Sequence, residues 1–310
     1  EANNPRQDGL GFTAYADVIA AAAAGTPGPL TIGVFGDWGS GKTSLLRMVQ
    51  QKIPQVSGDG GRQIIPVWFN AWQYEKEKRP LIPLIAAIQA ELDRRHRLKA
   101  GVEEMMNLLE ALVSGYSLKA KIQVPGFELE QSFDPGKTLE RGDRLAKNEI
   151  LRQSIYQEIF SRLNELAGSN GPKILVLVDD LDRCFPDMAI KLLESIKLVL
   201  SQPGFVFVLG MSRNVIEGYI RHRYETEFGV GNFDSRSYLD KIIQVPFYIS
   251  PTAGQIDGFF SNIANQATFP PGTLDTELRQ IIRLTCGSNP RAIIRFLNNL
   301  MLENAIFNTV

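Results

Sequence analysis

One eight-residue segment of the sequence carries the residue types that hold phosphate groups. It is Gly36-Asp37-Trp38-Gly39-Ser40-Gly41-Lys42-Thr43, which matches the pattern G-x-x-x-x-G-K-[ST] in full. Glycines let such a loop curl so that its backbone N–H groups point inward at phosphate oxygens. The helix that follows presents the positive end of its dipole, which favours anions. The segment therefore predicts a phosphate-binding loop.

The residues of this loop have distinct expected roles. A lysine at the position of Lys42 reaches the β- and γ-phosphates of a nucleoside triphosphate, and the hydroxyl of Thr43 coordinates Mg²⁺. We also expect nucleotide contacts from the other loop residues and the next residue of the helix, namely Gly36, Asp37, Trp38, Gly39, Ser40, Gly41 and Ser44. The alternative is a glycine-rich turn that contains a lysine by chance. The apolar run before the loop and the helical pattern after it argue against that alternative.

Two consecutive aspartates supply the second anchor that a phosphate-bound metal needs. Asp179 and Asp180 follow the apolar run 173–178, which is typical of a strand buried on both faces. We expect Asp179 to hold Mg²⁺ through water and Asp180 to act as the general base that polarises the attacking water. The alternative for Asp180 is a cap on the next segment or an ion pair with Arg183.

Other polar residues have weaker predicted roles. We favour an ion pair between Asp182 and Arg183 that shapes their loop, and the alternative is that Arg183 faces the nucleotide of a neighbouring subunit. Ser212 and Arg213 follow another apolar run and are candidates for sensing the γ-phosphate. A helix cap at Ser212 and a solvated Arg213 are an equally weighted alternative.

Two further regions offer candidate residues. Arg291 and Arg295 lie one helical turn apart near the C-terminal end, and we predict that Arg291 reaches back to the phosphates as a catalytic residue. A solvated pair is the alternative, and it is slightly favoured for Arg295. Residues 68–75 are dense in aromatic side chains, which predicts a core or interface role. Asn70 or Glu75 is a candidate contact of the attacking water.

The elements that must position these residues alternate along the chain. Apolar runs predict strands at 30–35, 64–70, 173–178, 205–209 and 242–249. Helical patterns occupy 12–24, 43–52, 81–113, 146–167, 186–200, 214–228, 254–267, 273–285 and 290–307. Such alternation predicts an α/β fold whose parallel sheet is covered by helices on both faces. We predict a core over residues 1–250 with a helical insertion at about 76–150, and a small all-α subdomain over 251–310.

The composition is that of an ordinary globular protein of 310 residues, 44% hydrophobic and 22% charged. The net charge of −1 supplies no basic field, so nucleic acid is not indicated as a partner. Cys184 and Cys286 lie far apart without ligand-like spacing, so we expect neither a disulfide framework nor a zinc site, and a reducing cytoplasm fits. No apolar run approaches the roughly 20 residues that span a bilayer. Because the first residue is Glu1 rather than Met, we expect a trimmed or truncated chain.

Five segments together resemble the KAP family of P-loop NTPases, within the wider STAND group of signal-transducing ATPases. They are residues 33–43, 69–74, 178–184, 238–247 and 289–291. The resemblance implies binding of ATP and Mg²⁺, with hydrolysis linked to a switch in conformation or homo-oligomeric state. It also suggests bacterial defence against phage or plasmids, with a trigger and an effector that the sequence does not identify.

The sequence departs from the family pattern at two places. Many family members carry transmembrane helices after the second strand, whereas residues 76–150 contain none, which favours a soluble form. Residues 210–213 lack the aspartate expected there, which weakens the predicted sensing role.

Other function classes stay open at this point. One is a regulatory or assembly module that binds ATP with little hydrolysis, although the pair Asp179 and Asp180 favours hydrolysis. Another is a nucleotide-dependent kinase with the 76–150 insertion as its lid, but the insertion contains no recognisable acceptor site. A DNA-translocating motor is disfavoured because no strip of basic and aromatic residues is present. ATP is preferred to GTP through the resemblance, and no guanine-reading [NT]-K-x-D motif appears where one is expected.

Overall fold

A five-stranded parallel sheet forms the centre of the protein. The computed structural model describes residues 8–26, 28–56, 58, 61–77, 79–94, 171–199, 204–249, 253–266 and 274–307. The strands are β1 (Leu30–Phe35), β2 (Ile64–Asn70), β3 (Lys173–Asp179), β4 (Phe205–Met211) and β5 (Val245–Tyr248). Their order across the sheet is β2-β3-β4-β1-β5, and every neighbouring pair is parallel.

Helices cover both faces of this sheet. They are α1 (Thr13–Gly25), α2 (Lys42–Lys52), α3 (Leu81–Arg94), α4 (Pro186–Val199), α5 (Arg213–Glu227), α6 (Ser235–Asp240), α7 (Ala253–Gln266), α8 (Thr276–Cys286) and α9 (Pro290–Phe307). Apolar side chains of α3, α4, α5 and α6 form one buried cluster with the sheet. Those of α1, α2, α7, α8 and α9 form the other cluster. The predicted α/β fold is therefore confirmed.

The central strands are buried along their whole length and largely apolar, because both of their faces are covered. All seven residues of β3 are buried, and so are all seven of β4. Successive side chains of a strand point to opposite faces. Accordingly, Ile174 and Val176 belong to the cluster under α3 and α4, while Leu175 belongs to the cluster under α1 and α2.

The edge strand β5 is shorter than its apolar pattern predicts. Residues 241–244 form a turn and a bend before the strand, and the preceding α6 was not predicted. The turn is held by Gln244, whose N–H donates to the carbonyl of Thr31 and whose side chain accepts from the N–H of Thr31 at 2.7 Å. Val245 and Tyr248 are exposed, as expected for a strand with a neighbour on one side.

The first part of the predicted insertion packs on the core. Helix α3 buries Leu84, Ile85 and Ile88 in the cluster beneath the sheet. Residues 95–170 lie outside the described residues, and they include the rest of the insertion and the helix predicted at 146–167. The insertion and the domain boundaries therefore stay predictions.

A buried lysine joins the start of β3 to the end of α1. The Nζ of Lys173 donates to the carbonyl oxygens of Ala24 at 2.7 Å, Ala23 at 3.4 Å and Thr26. The last carbonyls of a helix lack intrahelical partners and form the negative end of its dipole. The ammonium of Lys173 satisfies these groups and fixes α1 to the sheet.

Replacing Lys173 with methionine tests this tie. Lys173→Met keeps the length of the side chain but leaves buried carbonyls unpaired, so we expect the free energy of unfolding to fall by about 2–4 kcal/mol. Urea unfolding followed by circular dichroism measures the loss. The control Lys241→Met changes an exposed lysine and is expected to shift stability by less than about 0.5 kcal/mol. Equal effects of the two substitutions would contradict the tie.

Candidate functional site

The loop between β1 and α2 curls at the carboxyl edge of the sheet. Gly39 and Gly41 have φ angles of 90° and 102°, in the left-handed region that side chains rarely adopt. Their surroundings also exclude a side chain. A Cβ on Gly39 would lie 2.6 Å from the Cβ of Arg291, and one on Gly41 would lie 2.6 Å from the ring of Phe12. The glycines predicted from the motif are thus required by the backbone and by close neighbours.

Lys42 begins α2, and its side chain folds back across the loop. Its Nζ donates to the carbonyl oxygens of Gly36 at 2.9 Å and Asp37 at 3.2 Å. The same atom lies 3.4 Å from Oδ2 of Asp182. Lys42 is only 8% exposed, so its ammonium is enclosed by the curl of the loop.

Asp179 ends β3 beside Thr43 and has an oxygen available for a metal. Its Oδ1 is buried and has no hydrogen-bond partner within the described part of the chain. Burial, followed by the charge of Asp180, raises the pKa of Asp179 to about 6, although a hydrogen bond from the Thr43 hydroxyl opposes the rise. Carboxylate and hydroxyl oxygens are hard ligands of the kind that Mg²⁺ prefers. Asp179 and Thr43 therefore fit the metal that the sequence predicts.

Asp180 lies next to this pair in a strained conformation. Its φ of 57° is left-handed, which is uncommon for a residue other than glycine. One carboxyl oxygen pairs with Nε of Arg183 at 2.8 Å, and the other accepts from Nδ2 of Asn70 at 3.3 Å. The ion pair with Arg183 that sequence analysis gave as an alternative is present. The role of Asp180 as general base stays a prediction. Asn70, one of the two candidate contacts of the attacking water, lies beside Asp180 in the site.

The predicted ion pair between Asp182 and Arg183 is corrected by the structure. Residues Leu181–Arg183 form a 3₁₀ turn, in which consecutive side chains diverge. Arg183 therefore pairs with Asp180, whereas Asp182 points into the loop and is 1% exposed. Its Oδ2 accepts from Nε1 of Trp38 at 3.0 Å and from the N–H of Ser212 at 2.7 Å, in addition to facing Lys42. The sequence analysis did not predict these contacts of Asp182. The feature that could have indicated them is a third aspartate shortly after Asp179 and Asp180.

Arg213 is held in a network rather than solvated. Its guanidinium contacts Glu217, Asp240 and the hydroxyl of Tyr248, each at 2.6 Å. These partners lie on α5, α6 and β5, so the arginine joins the three elements. The alternative of a solvated Arg213 is thus corrected. A cavity of about 420 Å³ is lined by Arg213, Glu217 and Tyr248 of this network and by Gly36 and Asp37 at the start of the loop.

The C-terminal helices contact the loop directly through the start of α9. Nδ2 of Asn289 donates to the carbonyl of Trp38 at 2.8 Å, and the N–H of Arg291 lies 3.4 Å from the carbonyl of Gly39. Oδ1 of Asn289 also accepts from the first N–H groups of α9, which caps the helix. Arg291 is therefore brought to the loop with an exposed side chain, while Arg295 is exposed one turn further along. The catalytic role of Arg291 stays a prediction.

The aromatic segment after β2 is divided between the core and the rim of the site. Phe69 is buried and stacks on Tyr74 with ring centroids 5.1 Å apart. Trp72 is exposed and lies beneath the guanidinium of Arg183 at 5.6 Å. Burial, followed by the charge of nearby Glu75, raises the pKa of the Cys184 thiol to about 12.

Comparison with protein families and curated proteins gives consistent matches. A model of the KAP family P-loop domain matches residues 12–307. The chain is 25% identical over 298 residues to the phage T7 exclusion protein of Escherichia coli (strain K12), covering 87% of this chain and 38% of that protein. It is 26% identical over 169 residues to the uncharacterized protein MJ0182 of Methanocaldococcus jannaschii, covering 46% of this chain and 87% of that protein. The chain thus spans less than half the length of the phage T7 exclusion protein.

Two solved structures from Aeropyrum pernix resemble the chain at low identity. The ORC1 protein in complex with DNA matches with a TM-score of 0.46 and 17% identity, covering 91% of this chain and 56% of that chain. The ORC2 protein, in ADPNP–ADP complexes, matches with a TM-score of 0.47 and 14% identity, covering 95% and 63%.

Within the described ranges, no helix combines the length and the apolar character needed to cross a membrane.

Replacing Asp179 with asparagine is expected to stabilise the protein in the absence of metal and nucleotide. Because folding raises the pKa of Asp179 to about 6, the folded protein binds the proton more tightly, and stability falls as pH rises through that value. Asp179→Asn removes this penalty, which we expect to be worth roughly 1–3 kcal/mol at pH 7.5 and to vanish below about pH 4.

Urea unfolding of both proteins across this pH range measures the effect. The control Asp187→Asn removes an exposed carboxylate and should bring no gain at pH 7.5. An advantage of Asp179→Asn that is equally large at low pH would contradict the assignment.

Proposed function

Because the chain belongs to the KAP family of P-loop domains, we propose that it binds MgATP on the loop Gly36–Thr43 and hydrolyses it slowly as a conformational switch. One observation carries the proposal. Lys42, Thr43 and Asp179 meet at the carboxyl ends of β1 and β3, with the carboxyl group of Asp180 beside them. This convergence supplies a cation for phosphates, oxygens for a metal and a carboxylate for water.

Each group has a proposed role in binding. The N–H groups of the loop and the start of α2 receive the phosphate oxygens, and the ammonium of Lys42 contacts the β- and γ-phosphates. Thr43 and Asp179 would hold Mg²⁺, which would supply positive charge to neutralise the bound phosphates. Trp38, the third residue of the loop, and Ser44, the residue after the loop, are proposed as further contacts of the nucleotide.

Hydrolysis requires a group that takes the proton of the attacking water. We assign this to Asp180, whose carboxyl group is oriented by Asn70 and Arg183. Water attacks the γ-phosphorus, its proton passes to Asp180, and the bond to the bridging oxygen breaks to release ADP and phosphate. Arg291 enters the site from α9 to neutralise charge on the γ-phosphate.

The link to a conformational switch is proposed from the contact between the loop and α9. Asn289 binds the carbonyl of Trp38, within the segment that must receive phosphates. A ligand that changes the conformation of the loop therefore changes the energy of the contact between Asn289 and Trp38. A ligand shifts a conformational equilibrium when its binding energy differs between the two conformations. The helical subdomain would then report the nucleotide state to a second copy of the chain or to an effector.

A second candidate is an ATP-gated regulatory or assembly module with little hydrolysis. The observation that favours it is the ion pair between Asp180 and Arg183, which engages the proposed general base. In that case the site binds MgATP and changes conformation without rapid turnover.

The similarity to the phage T7 exclusion protein supports a setting in bacterial defence against phage. Because the chain covers 38% of that protein, the activity of the whole relative extends to this chain only as a proposal. The trigger and the effector would be additional partners.

Mg²⁺-dependent ATP hydrolysis across protein concentration tests the proposed activity. We expect slow turnover that rises with concentration if assembly completes the site, and a rate at least about 100-fold lower in Asp180→Asn, because a general base contributes that much or more. The matched control Asp187→Asn removes an exposed aspartate on α4 and should keep the rate of the unchanged protein.

Two outcomes would redirect the proposal. Tight MgATP binding without turnover at any concentration would reject the hydrolase and leave the ATP-gated module. Equal turnover in the unchanged protein and in Asp180→Asn would reject Asp180 as the general base.

Coupling to the helical subdomain is tested by Asn289→Ala. The alanine cannot donate to the carbonyl of Trp38, so the loop and α9 lose their side-chain link. We expect MgATP to change hydrogen exchange in residues 287–297 of the unchanged protein by several-fold, and to change it much less in the variant. Because Asn289 also caps α9, Asn289→Asp, which keeps an oxygen for the cap but cannot donate to Trp38, should lose the response in the same way. Asn298→Ala, at an exposed position of the same helix, is the control. A full nucleotide response in Asn289→Ala would show that the link is not needed.

A further inference from the structure

Two kinds of acceptor, protein oxygens and nucleotide phosphates, can bind the ammonium of Lys42. In the structure Lys42 faces Oδ2 of Asp182 at 3.4 Å, together with two backbone carbonyls of the loop. A nucleotide on the same loop needs that ammonium for its β- and γ-phosphates. The carboxylate and the phosphates therefore compete for a single cation.

Asp182 is held in place independently of Lys42. Two neutral donors, Nε1 of Trp38 at 3.0 Å and the N–H of Ser212 at 2.7 Å, bind the same oxygen. These donors come from the loop and from the end of β4, and the residue is 1% exposed. When phosphates draw Lys42 away, the two donors still hold the carboxylate beside the incoming negative charge.

Asp182 does more than hold the side chain of Lys42 in position. A group that only positioned Lys42 for the nucleotide would carry no charge opposed to phosphate, as the carbonyls of Gly36 and Asp37 illustrate. Like charges several ångström apart at an effective dielectric constant of about 20 repel strongly enough to weaken binding by about tenfold or more. A buried carboxylate in this position therefore lowers affinity for anions.

We propose that Asp182 is an internal competitor of the nucleotide phosphates, which occupies Lys42 in the empty site and weakens nucleotide binding. The inference rests on the proposed nucleotide-binding function of the loop and names the regulation of that site. Asp182 sets the affinity low enough for nucleotide to leave, so that the switch returns to its empty state. The effect requires phosphate and is absent for a nucleoside.

The variant Asp182→Asn isolates the charge. Its amide oxygen still accepts from Trp38 and Ser212, whereas the negative charge facing Lys42 is removed. Calorimetric titration with MgATP, MgADP and adenosine compares it with the unchanged chain and with Asp187→Asn, which loses an exposed charge elsewhere. We expect the Kd for MgATP and MgADP to fall by about tenfold or more in Asp182→Asn, with slower release of nucleotide and no change for adenosine.

Thermal melting first establishes that Asp182→Asn folds. If Asp182→Asn does not fold, Asp182→Ser, which is neutral and smaller, is used in its place. Binding of MgATP to the neutral variant alone would support the competitor, because the unchanged site would then be blocked by its own carboxylate. Equal or weaker binding by the neutral variant would overturn the competitor while leaving the nucleotide site intact. If neither protein bound nucleotide, the proposed function would fail and this inference with it.

Discussion

The arrangement of the site depends on one buried ammonium. Lys42 is almost fully enclosed, and a buried charge is tolerated only with close partners. Those partners are two carbonyls of the curled loop and the carboxylate of Asp182. The curl in turn needs left-handed backbone at Gly39 and Gly41, and Asp182 needs the turn that follows β3. The parallel sheet brings these segments together at one edge.

Most of the fold follows from patterns in the sequence. Strands buried on both faces are continuous apolar runs, so β1 and β2 have the predicted bounds and β3 and β4 extend the predicted runs by one or two residues. The edge strand β5 was predicted too long because apolar residues of the preceding turn fill the core without joining the ladder. Residues can thus be buried without pairing in the sheet, and the apolar pattern of the sequence indicates only burial.

The positions of site residues could be predicted where a motif gives a residue type one usual role. The partners of charged side chains were harder to predict, because several opposite charges are available to each. The loop motif located Lys42, and the strand end located Asp179. The partners of Asp182 and Arg183 depend on the 3₁₀ turn Leu181–Arg183, in which consecutive side chains diverge. Arg213 likewise finds acceptors on α6 and β5 that are distant in sequence. Pairings of this kind become visible only with the tertiary structure.

The central claim is that the loop forms one MgATP site around Lys42. Equilibrium binding of labelled ATP to the unchanged chain and to Lys42→Ala, with and without Mg²⁺, measures it most directly. The account predicts Mg²⁺-dependent binding that weakens by about 100-fold or more without the ammonium, since buried charge-assisted contacts of this kind are worth several kcal/mol. Binding of ATP that is the same in both proteins would contradict it.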